Sequence, residues 1–310
     1  MAAQPLIPIT YSPAFTLVPT YECFNQCGYC NFRVNPGDSP WLTVEAARLQ
    51  LETLQGTGVK EILILSGEVH PQSPLRRAWV ERLYDLGKLA LALGFYPHTN
   101  AGPLSWSEME TLKAVNVSMG LMLEQLTPTL LNTVHQNAPS KDPQLRLQQL
   151  QQAGALKIPF TTGLLLGIGE RPQDILETLT AIAACHEQYS HIQEVILQPQ
   201  VLGQRQAMPA PPYPLSALIE VIHLARETLP ESITLQIPPN LLPVPEDVLP
   251  CLHAGVRDLG GIVPIDEVNP DYHHQQVETL RILLARCGYQ LTPRLPVYPQ
   301  YVDWVESIML

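Results

Sequence analysis

Short apolar runs alternate with longer amphipathic segments along most of the chain. The runs have the length of strands and are almost continuously apolar, which is typical of parallel strands that are buried on both faces. We predict eight strands, at FTLV (15–18), EILIL (61–65), GFY (94–96), VSMGLML (117–123), FTTGLLL (160–166), IQEVIL (192–197), ITLQI (233–237) and the shorter GVRDL (255–259).

Apolar residues at helical spacing fill the intervals between these strands. We predict helices at 43–55, 75–93, 143–153, 173–188, 215–229 and 274–287. In the second of these, Leu75, Trp79 and Leu83 fall on one stripe. Ser107 followed by Glu110 has the spacing of a helix capping box.

The alternation of strand and helix predicts a parallel sheet with helical crossovers. Eight such units in about 250 residues fit a single-domain (β/α)8 barrel of the TIM type. The alternative is a doubly wound open sheet, which a glycine-rich first turn would favour, and the first turn here has a single glycine. We therefore predict one domain over 1–310, with a core at about 10–290 and a C-terminal extension at 290–310.

Composition and charge exclude several classes of protein. The net charge is −11 and the pI is near 5.2, so the surface should repel nucleic acid. No apolar stretch approaches the roughly 18 residues that a membrane span needs. The first residues, MAAQPLIPIT, lack the regions of a secretory signal. We expect a cytoplasmic protein that acts on a small molecule.

Three cysteines lie within eight positions of a predicted loop at 20–40: Cys23, Cys27 and Cys30. A zinc site would need a fourth ligand from elsewhere, and zinc sites usually contain a second C-x2-C pair that this chain lacks. A 4Fe–4S cluster held by three thiolates would leave one iron open to a small molecule. The spacing favours the cluster over zinc.

The pattern C-x3-C-x-aromatic-C, with Tyr29 before the last cysteine, resembles the radical S-adenosylmethionine (radical SAM) superfamily. The resemblance implies a 4Fe–4S cluster whose open iron is chelated by the methionine amino and carboxylate groups of SAM. It also implies that an electron from the cluster cleaves the sulfonium and gives a 5′-deoxyadenosyl radical.

Two further stretches match motifs of that superfamily. ILSGEVH (64–70) resembles its Gly-Gly-Glu motif, with serine in place of the first glycine, and GLLLGIGE (163–170) resembles its G-x-I-x-G-x-x-E motif. By this resemblance the glutamate of the first motif meets the methionine ammonium, and a glutamate after the fourth strand meets the ribose. The residues expected to contact SAM are Tyr29, Ser66, Gly67, Glu68, Glu124, Gly163, Gly167, Glu170 and Gln198.

Polar residues follow several of the predicted strands, and in a parallel barrel those positions share the carboxyl-terminal mouth. A small-molecule substrate would be bound there. The residues chemically suited to bind it are His98, Asn100, Thr161, Thr162 and Asp258.

Longer stretches of the sequence resemble one particular family within that superfamily. PHTNAG (97–102), IPFTTG (158–163) and DLGGIVPIDEVNP (258–270), with the cysteine loop, are similar to the deazaflavin synthases of that superfamily, which close the ring of the coenzyme F420 chromophore. Gln200, where the family pattern has an aromatic residue, and Leu259, where it has tryptophan, depart from the pattern.

The resemblance implies a reaction and its partners. The substrate would be a hydroxybenzyl–ribityliminouracil adduct that a second deazaflavin synthase subunit makes. The radical would abstract a hydrogen, the ribityl-bearing nitrogen would capture the phenol ring and ammonia would leave. One further oxidation would make the tricycle aromatic, so the enzyme would be an ammonia-releasing lyase. An electron donor such as ferredoxin or flavodoxin would reduce the cluster.

Two alternative hypotheses about the function are compatible with the same cysteine loop. A biotin-synthase-like or menaquinone-pathway radical SAM enzyme would leave PHTNAG and DLGG without an explanation. A non-enzymatic iron–sulfur or zinc protein would need a fourth protein ligand and would have no need of Glu68 and Gly167 at the mouth.

Overall fold

The computed structural model describes residues 6–309, which form a single domain built on a closed barrel of eight parallel strands with helices between them. The eight strands follow one another around the barrel, and β1 closes it by pairing with β8 on one side and β2 on the other. This confirms the predicted TIM-type barrel and excludes the open sheet.

The strands are β1 (Ile7–Leu17), β2 (Glu61–Leu65), β3 (Tyr96–Asn100), β4 (Ser118–Gly120), β5 (Phe160–Leu166), β6 (Ile192–Pro199), β7 (Thr234–Gln236), β8 (Asp258–Ile262) and β9 (Tyr289–Pro293). The helices are α1 (Val44–Glu52), α2 (Arg76–Ala92), α3 (Trp106–Lys113), α4 (Pro143–Ala155), α5 (Pro172–Tyr189), α6 (Leu215–Thr228), α7 (Val248–Ala254), α8 (Val277–Arg286) and α9 (Val302–Val305).

The main core lies between the barrel and its helices. Trp79 and Leu83 of α2 and Phe160 of β5 are fully buried in it. Burial on both faces explains why β2 and β5 read as continuous apolar runs, and both strands have their predicted bounds. Within residues 6–309, no helix combines the length and the hydropathy that a membrane crossing requires.

Two strands lie later in the sequence than predicted. β3 begins at Tyr96 where GFY (94–96) was expected to be the strand, and β8 begins at Asp258 where GVRDL (255–259) was expected. In both cases polar side chains occupy the strand itself and lie inside the barrel. A search for apolar runs therefore places these strands too early.

One helix start is also corrected. The capping box is formed by Ser105 and Glu108, whereas Ser107 lies inside α3 and its carbonyl accepts from the Thr111 hydroxyl. Leu75, predicted on the buried stripe of α2, precedes that helix and is exposed.

The amino-terminal end of the barrel is closed by the C-terminal part of the chain. Strand β9, which the sequence pattern did not predict, pairs with the first half of β1, from Ile7 to Tyr11. The segment after it forms a small apolar cluster with the residue that precedes β4. The buried members of that cluster are Val117, Val297, Tyr298, Tyr301 and Val305.

A buried ion network, here called the floor network, ties this segment to the barrel. The Arg294 guanidinium donates to Asp258 (Nε–Oδ2, 2.6 Å) and to Glu194 (Nη2–Oε2, 2.7 Å), and the Tyr298 hydroxyl donates to Glu194 (3.0 Å). One guanidinium thus faces two carboxylates. Burial raises the pKa of Glu194 to about 7 against the opposing effect of Arg294, and Asp258 and Glu61 add smaller contributions that raise it.

The raised pKa of Glu194 makes stability depend on pH. The unfolded side chain titrates near pH 4.5, so between that value and about 7 the folded state holds a proton that the unfolded state has lost. The stabilisation of the folded state by this proton on Glu194 is therefore complete below pH 4.5 and is lost as the pH rises towards 7. We expect the free energy of unfolding of the wild type, relative to that of Glu194→Gln, to fall by roughly 2–3 kcal/mol between pH 5 and pH 8. Urea denaturation at both pH values measures it, and a pH-independent difference would contradict the assignment.

Candidate active site

Two cavities meet inside the barrel. The upper cavity, about 230 Å³, lies at the carboxyl-terminal mouth and is lined by the cysteine loop. The lower cavity, about 190 Å³, extends down the barrel interior to Glu194 and Arg294. The residues that line both cavities are Leu65, Asn100, Gln198, Val268 and Asn269. A molecule in one cavity would therefore contact a molecule in the other at this boundary.

The cysteine loop is held by a carboxylate that the sequence analysis did not single out. Glu22 Oε1 accepts from the backbone nitrogens of Gly37 (2.7 Å) and Ser39 (3.2 Å), and its Oε2 accepts from Trp41 Nε1 (3.2 Å). At the other side of the loop, a Cβ atom on Gly67 would lie 2.1 Å from the Glu22 carbonyl oxygen. Glycine at this position lets the end of β2 pack directly on the loop.

The three loop cysteines are free thiols, and all of them line the upper cavity. Burial raises the pKa of Cys27 to about 12 and also raises the pKa of Cys23, so a metal would have to displace these protons. Within residues 6–309, no group of three or more Cys, His, Asp or Glu side chains could hold a single metal ion. Three sulfurs around one cavity fit a cluster better, because each of them binds a different iron.

Glu68 is the centre of a hydrogen-bond network in the upper cavity. It accepts from Asn25 Nδ2 (2.9 Å) and from the Ser140 hydroxyl, and Arg146 Nη2 lies 3.5 Å from its Oε1. Gly102, with φ of +78°, makes room for the carboxylate, since a Cβ atom there would lie 2.3 Å from Glu68 Cδ. The loop, β2 and α4 are thus joined through one side chain.

Glu124 follows β4 and also lines the upper cavity, with a positive φ of 65°. Burial would raise the pKa of its carboxyl, but Lys141, which forms an ion pair with it, and Arg146 hold the pKa below its usual value. Lys141 also lies 5.8 Å from the Tyr29 ring centroid, and the Tyr29 hydroxyl is 3.0 Å from His135 Nε2. The cavity therefore contains an ionised carboxylate beside a cation.

Other residues expected to contact SAM make local contacts. Glu170 accepts from the backbone nitrogens of Gly167 (2.6 Å) and Ile168 (2.9 Å), so it shapes the turn after β5. The Ser66 hydroxyl accepts from Trp79 Nε1 (2.9 Å) and donates to the adjoining carbonyl. Gly163 lies in β5, where a Cβ atom would meet the Ile196 carbonyl oxygen at 2.4 Å.

The structure separates the five residues expected to bind substrate. His98, Asn100 and Thr161 line the lower cavity. Thr162 faces outward, where its hydroxyl accepts from the Leu123 backbone nitrogen. Asp258, expected after a strand at the mouth, is instead the first residue of β8 and belongs to the floor network. These two expected positions are wrong, since strand alternation turns one side chain away and the later start of β8 places the other at the opposite end.

Three cations line the upper cavity that were not among the residues predicted from the sequence: Arg33, Lys141 and Arg146. Arg146 is 1% exposed and donates to the carbonyls of Ser140 (3.1 Å) and Met122 (2.6 Å). It precedes the buried Leu150 by one helical turn on α4. A charged residue on the apolar stripe of a helix is the signal that could have found it.

Comparison with known proteins agrees with this geometry. The family model of the radical SAM superfamily matches residues 17–182 of this chain. A 7,8-didemethyl-8-hydroxy-5-deazariboflavin synthase from Synechocystis is 64% identical over 301 residues, which are 97% of this chain and 96% of that protein. The synthase of the same name from Thermosynechococcus vestitus is 66% identical over 297 residues, 96% of this chain and 94% of that one.

Solved structures share the fold at much lower identity. The FeFe-hydrogenase maturase HydG from Carboxydothermus hydrogenoformans has a TM-score of 0.73 at 17% identity, over 96% of this chain and 74% of that one. Methylornithine synthase has a TM-score of 0.69 at 15% identity, over 97% of this chain and 86% of that one.

Proposed function

The chain belongs to the radical SAM superfamily and, within it, to the 7,8-didemethyl-8-hydroxy-5-deazariboflavin synthases, and we propose that it closes the deazaflavin ring of the F420 chromophore. The substrate is the hydroxybenzyl–ribityliminouracil adduct, and ring closure releases ammonia. The main support for the proposal is that the upper cavity, which is lined by three thiols, opens into the polar lower cavity inside the barrel.

Membership of the superfamily implies a 4Fe–4S cluster and SAM. Cys23, Cys27 and Cys30 would hold the cluster in the upper cavity, and their three sulfurs fit a cluster that keeps one iron open. With SAM bound, the cluster would supply the electron that generates a 5′-deoxyadenosyl radical.

Charged side chains of the upper cavity would orient SAM. Glu68 would accept from the methionine ammonium, while Arg146 would favour the methionine carboxylate. Glu124 would accept from ribose hydroxyls, and Gly167, with φ of +93°, would let the backbone approach the adenosine. Glu68, Glu124 and Gly167 follow three different strands and Arg146 lies in the first turn of α4, so the barrel mouth fixes their relative positions.

A loop covers the cysteines from above. Met208 donates its backbone N–H to the Gly28 carbonyl (2.8 Å), and Arg205 donates its backbone N–H to Asn31 Oδ1 (2.8 Å). This cover would keep water from a reactive intermediate in the cavities, as a radical reaction requires.

The lower cavity would hold the substrate. His98, Asn100 and Thr161 offer imidazole, amide and hydroxyl groups to a uracil ring or a ribityl chain. Asn100 and Gln198, which line both cavities, lie where the reacting carbon would meet SAM.

The proposed reaction needs two protein partners. A second synthase subunit would supply the adduct, and a ferredoxin or flavodoxin would supply the electron. A reducing cytoplasm fits the buried Cys185 and Cys251, which are free thiols.

An anaerobic assay tests the function. The protein is reconstituted with iron and sulfide and is then given reductant, SAM and the adduct. We expect both 5′-deoxyadenosine and deazaflavin fluorescence. Deoxyadenosine without deazaflavin would reject this substrate and favour another radical SAM reaction, such as a biotin-synthase-like or menaquinone-pathway one. If neither product forms and the metal site is saturated by four protein ligands, the assignment of this protein as an enzyme is rejected.

Glu68→Gln tests the SAM site separately from the cluster. The amide keeps the shape of the side chain but loses the charge that would pair with the ammonium, so the KM for SAM should rise about 10- to 100-fold. The iron content and cluster absorbance should stay at the wild-type level. Glu110→Gln, a helix substitution outside both cavities, is the control. An unchanged KM for SAM would contradict the role given to Glu68.

A further inference from the structure

The lower cavity contains a buried acceptor that has no partner within residues 6–309. Asn240 Nδ2 donates to Asp266 Oδ2 (2.8 Å) and to the Tyr272 carbonyl (3.1 Å), which fixes the orientation of the amide. Its Oδ1 is left buried and without a hydrogen bond, although Asn240 lines the cavity and is 7% exposed. A buried unpaired acceptor is unfavourable, so a ligand donor that reaches Oδ1 from the cavity would be stabilised there.

A second acceptor follows from a chain of hydrogen bonds through His98. The Ser118 hydroxyl donates its single proton to the Pro296 carbonyl (2.7 Å) and also lies 2.7 Å from His98 Nδ1. Because that proton is already used, Ser118 must accept from His98. The hydrogen on the imidazole is therefore on Nδ1.

The ring has no second proton to give. Burial, together with a smaller effect of Arg294, lowers the pKa of His98 to about 3, so the imidazole is neutral. Nε2 is then an unprotonated acceptor, and it makes no hydrogen bond in the described part of the chain. Gly120 is needed for this position of the ring, since a Cβ atom there would lie 2.8 Å from Nε2.

We infer that His98 Nε2, together with Asn240 Oδ1, orients the substrate by accepting hydrogen bonds from its N–H or O–H groups. Ser118 and the Pro296 carbonyl are positioning groups, because they select the tautomer that leaves Nε2 unprotonated. The inference rests on the proposed function and deepens it, since a ribityliminouracil is rich in such donors. Negative groups are disfavoured in the same cavity, because four carboxyl groups, those of Glu61, Glu194, Asp266 and Glu267, line it with a single guanidinium, that of Arg294.

Two substitutions of His98 separate this role from a structural one. His98→Asn keeps an N–H at the place of Nδ1, so the contact with Ser118 survives while the acceptor is lost. His98→Gln puts a carboxamide oxygen near the place of Nε2, so an acceptor is kept while the Ser118 contact is lost. We expect His98→Asn to weaken adduct binding about 10- to 100-fold and His98→Gln by less than about 5-fold.

Binding is measured by anaerobic calorimetry of the reconstituted protein with SAM, alongside the KM values for the adduct and for SAM. The KM for SAM should not change in either variant. The reverse order, with His98→Gln the weaker binder, would mean that only the Ser118 contact matters and would overturn the inference. If the wild type makes deazaflavin but His98→Asn binds the adduct normally, the inference alone fails. If the wild type makes no deazaflavin, the proposed function fails.

Ser118→Ala tests the positioning groups without touching the ring. It frees Nδ1 to lose its proton, so adduct binding should weaken about 3- to 10-fold while the iron content stays constant. Should the His98 variants not fold, the ¹⁵N shifts of the imidazole in the wild-type protein report the tautomer directly. An unprotonated Nε2 supports the inference, and a protonated Nε2 overturns it.

Discussion

Cys27→Ala should abolish the visible absorbance of the iron–sulfur cluster and the cleavage of SAM together. Three thiolates are the smallest set that holds such a cluster with one open iron, and two cannot replace them. Within residues 6–309, the remaining cysteines, Cys185, Cys251 and Cys287, lie outside the upper cavity, so none of them is placed to substitute. Iron analysis, absorbance and the yield of 5′-deoxyadenosine after reconstitution measure the effect.

Cys287→Ala is the matched control, because this thiol is exposed and follows α8. It should bind the wild-type amount of iron and cleave SAM at the wild-type rate. Cys27 belongs to a loop, so the circular dichroism of Cys27→Ala should be that of the wild type. A Cys27→Ala protein that still cleaves SAM would contradict the assignment of the ligands.

Arg294→Met should be the most destabilising single substitution in the floor network. Methionine keeps the length and apolar contacts of the side chain but leaves the Asp258 and Glu194 carboxylates buried without a cation. Removing one partner of a buried ion pair typically costs about 3–5 kcal/mol. The loss should shrink at acid pH, because burial raises the pKa of Glu194 to about 7 and this carboxylate is then protonated at pH 5. Urea denaturation at pH 5 and pH 8 measures both effects.

The control for this experiment is Arg77→Met. Arg77 pairs with Glu81 at 2.8 Å on the surface of α2, and its side chain is 90% exposed. Water screens such a pair, so this variant should unfold at nearly the wild-type urea concentration. Equal midpoints for the two arginine variants would show that the floor network does not stabilise the fold.

The pattern of apolar runs predicted the barrel well where strands are apolar on both faces. β2 and β5 have their predicted bounds because helices cover one side and the barrel packs the other. β3 and β8 were placed too early, since a strand that lines a polar cavity carries residues such as His98 in its interior. β9 was missed because it pairs with β1 beyond the barrel, a contact that no local pattern shows.

The candidate site was predicted in part for a similar reason. A loop motif places three cysteines together because they are neighbours in sequence, and the upper cavity contains all three. The partners of Glu68 were out of reach, because Ser140 and Arg146 are 72 and 78 residues away. The role of Asp258 could not be predicted from the sequence either, because only the fold shows that Arg294 donates a hydrogen bond to its carboxylate.

The fate of deuterium from an adduct that is deuterated at its carbon positions decides whether this chain closes the deazaflavin ring by a radical reaction. The reconstituted wild-type protein is incubated anaerobically with reductant, SAM and this adduct, and both products are analysed by mass spectrometry. We expect that deazaflavin forms and that 5′-deoxyadenosine gains one deuterium in the same reaction. Unlabelled 5′-deoxyadenosine without any deazaflavin would contradict this expectation.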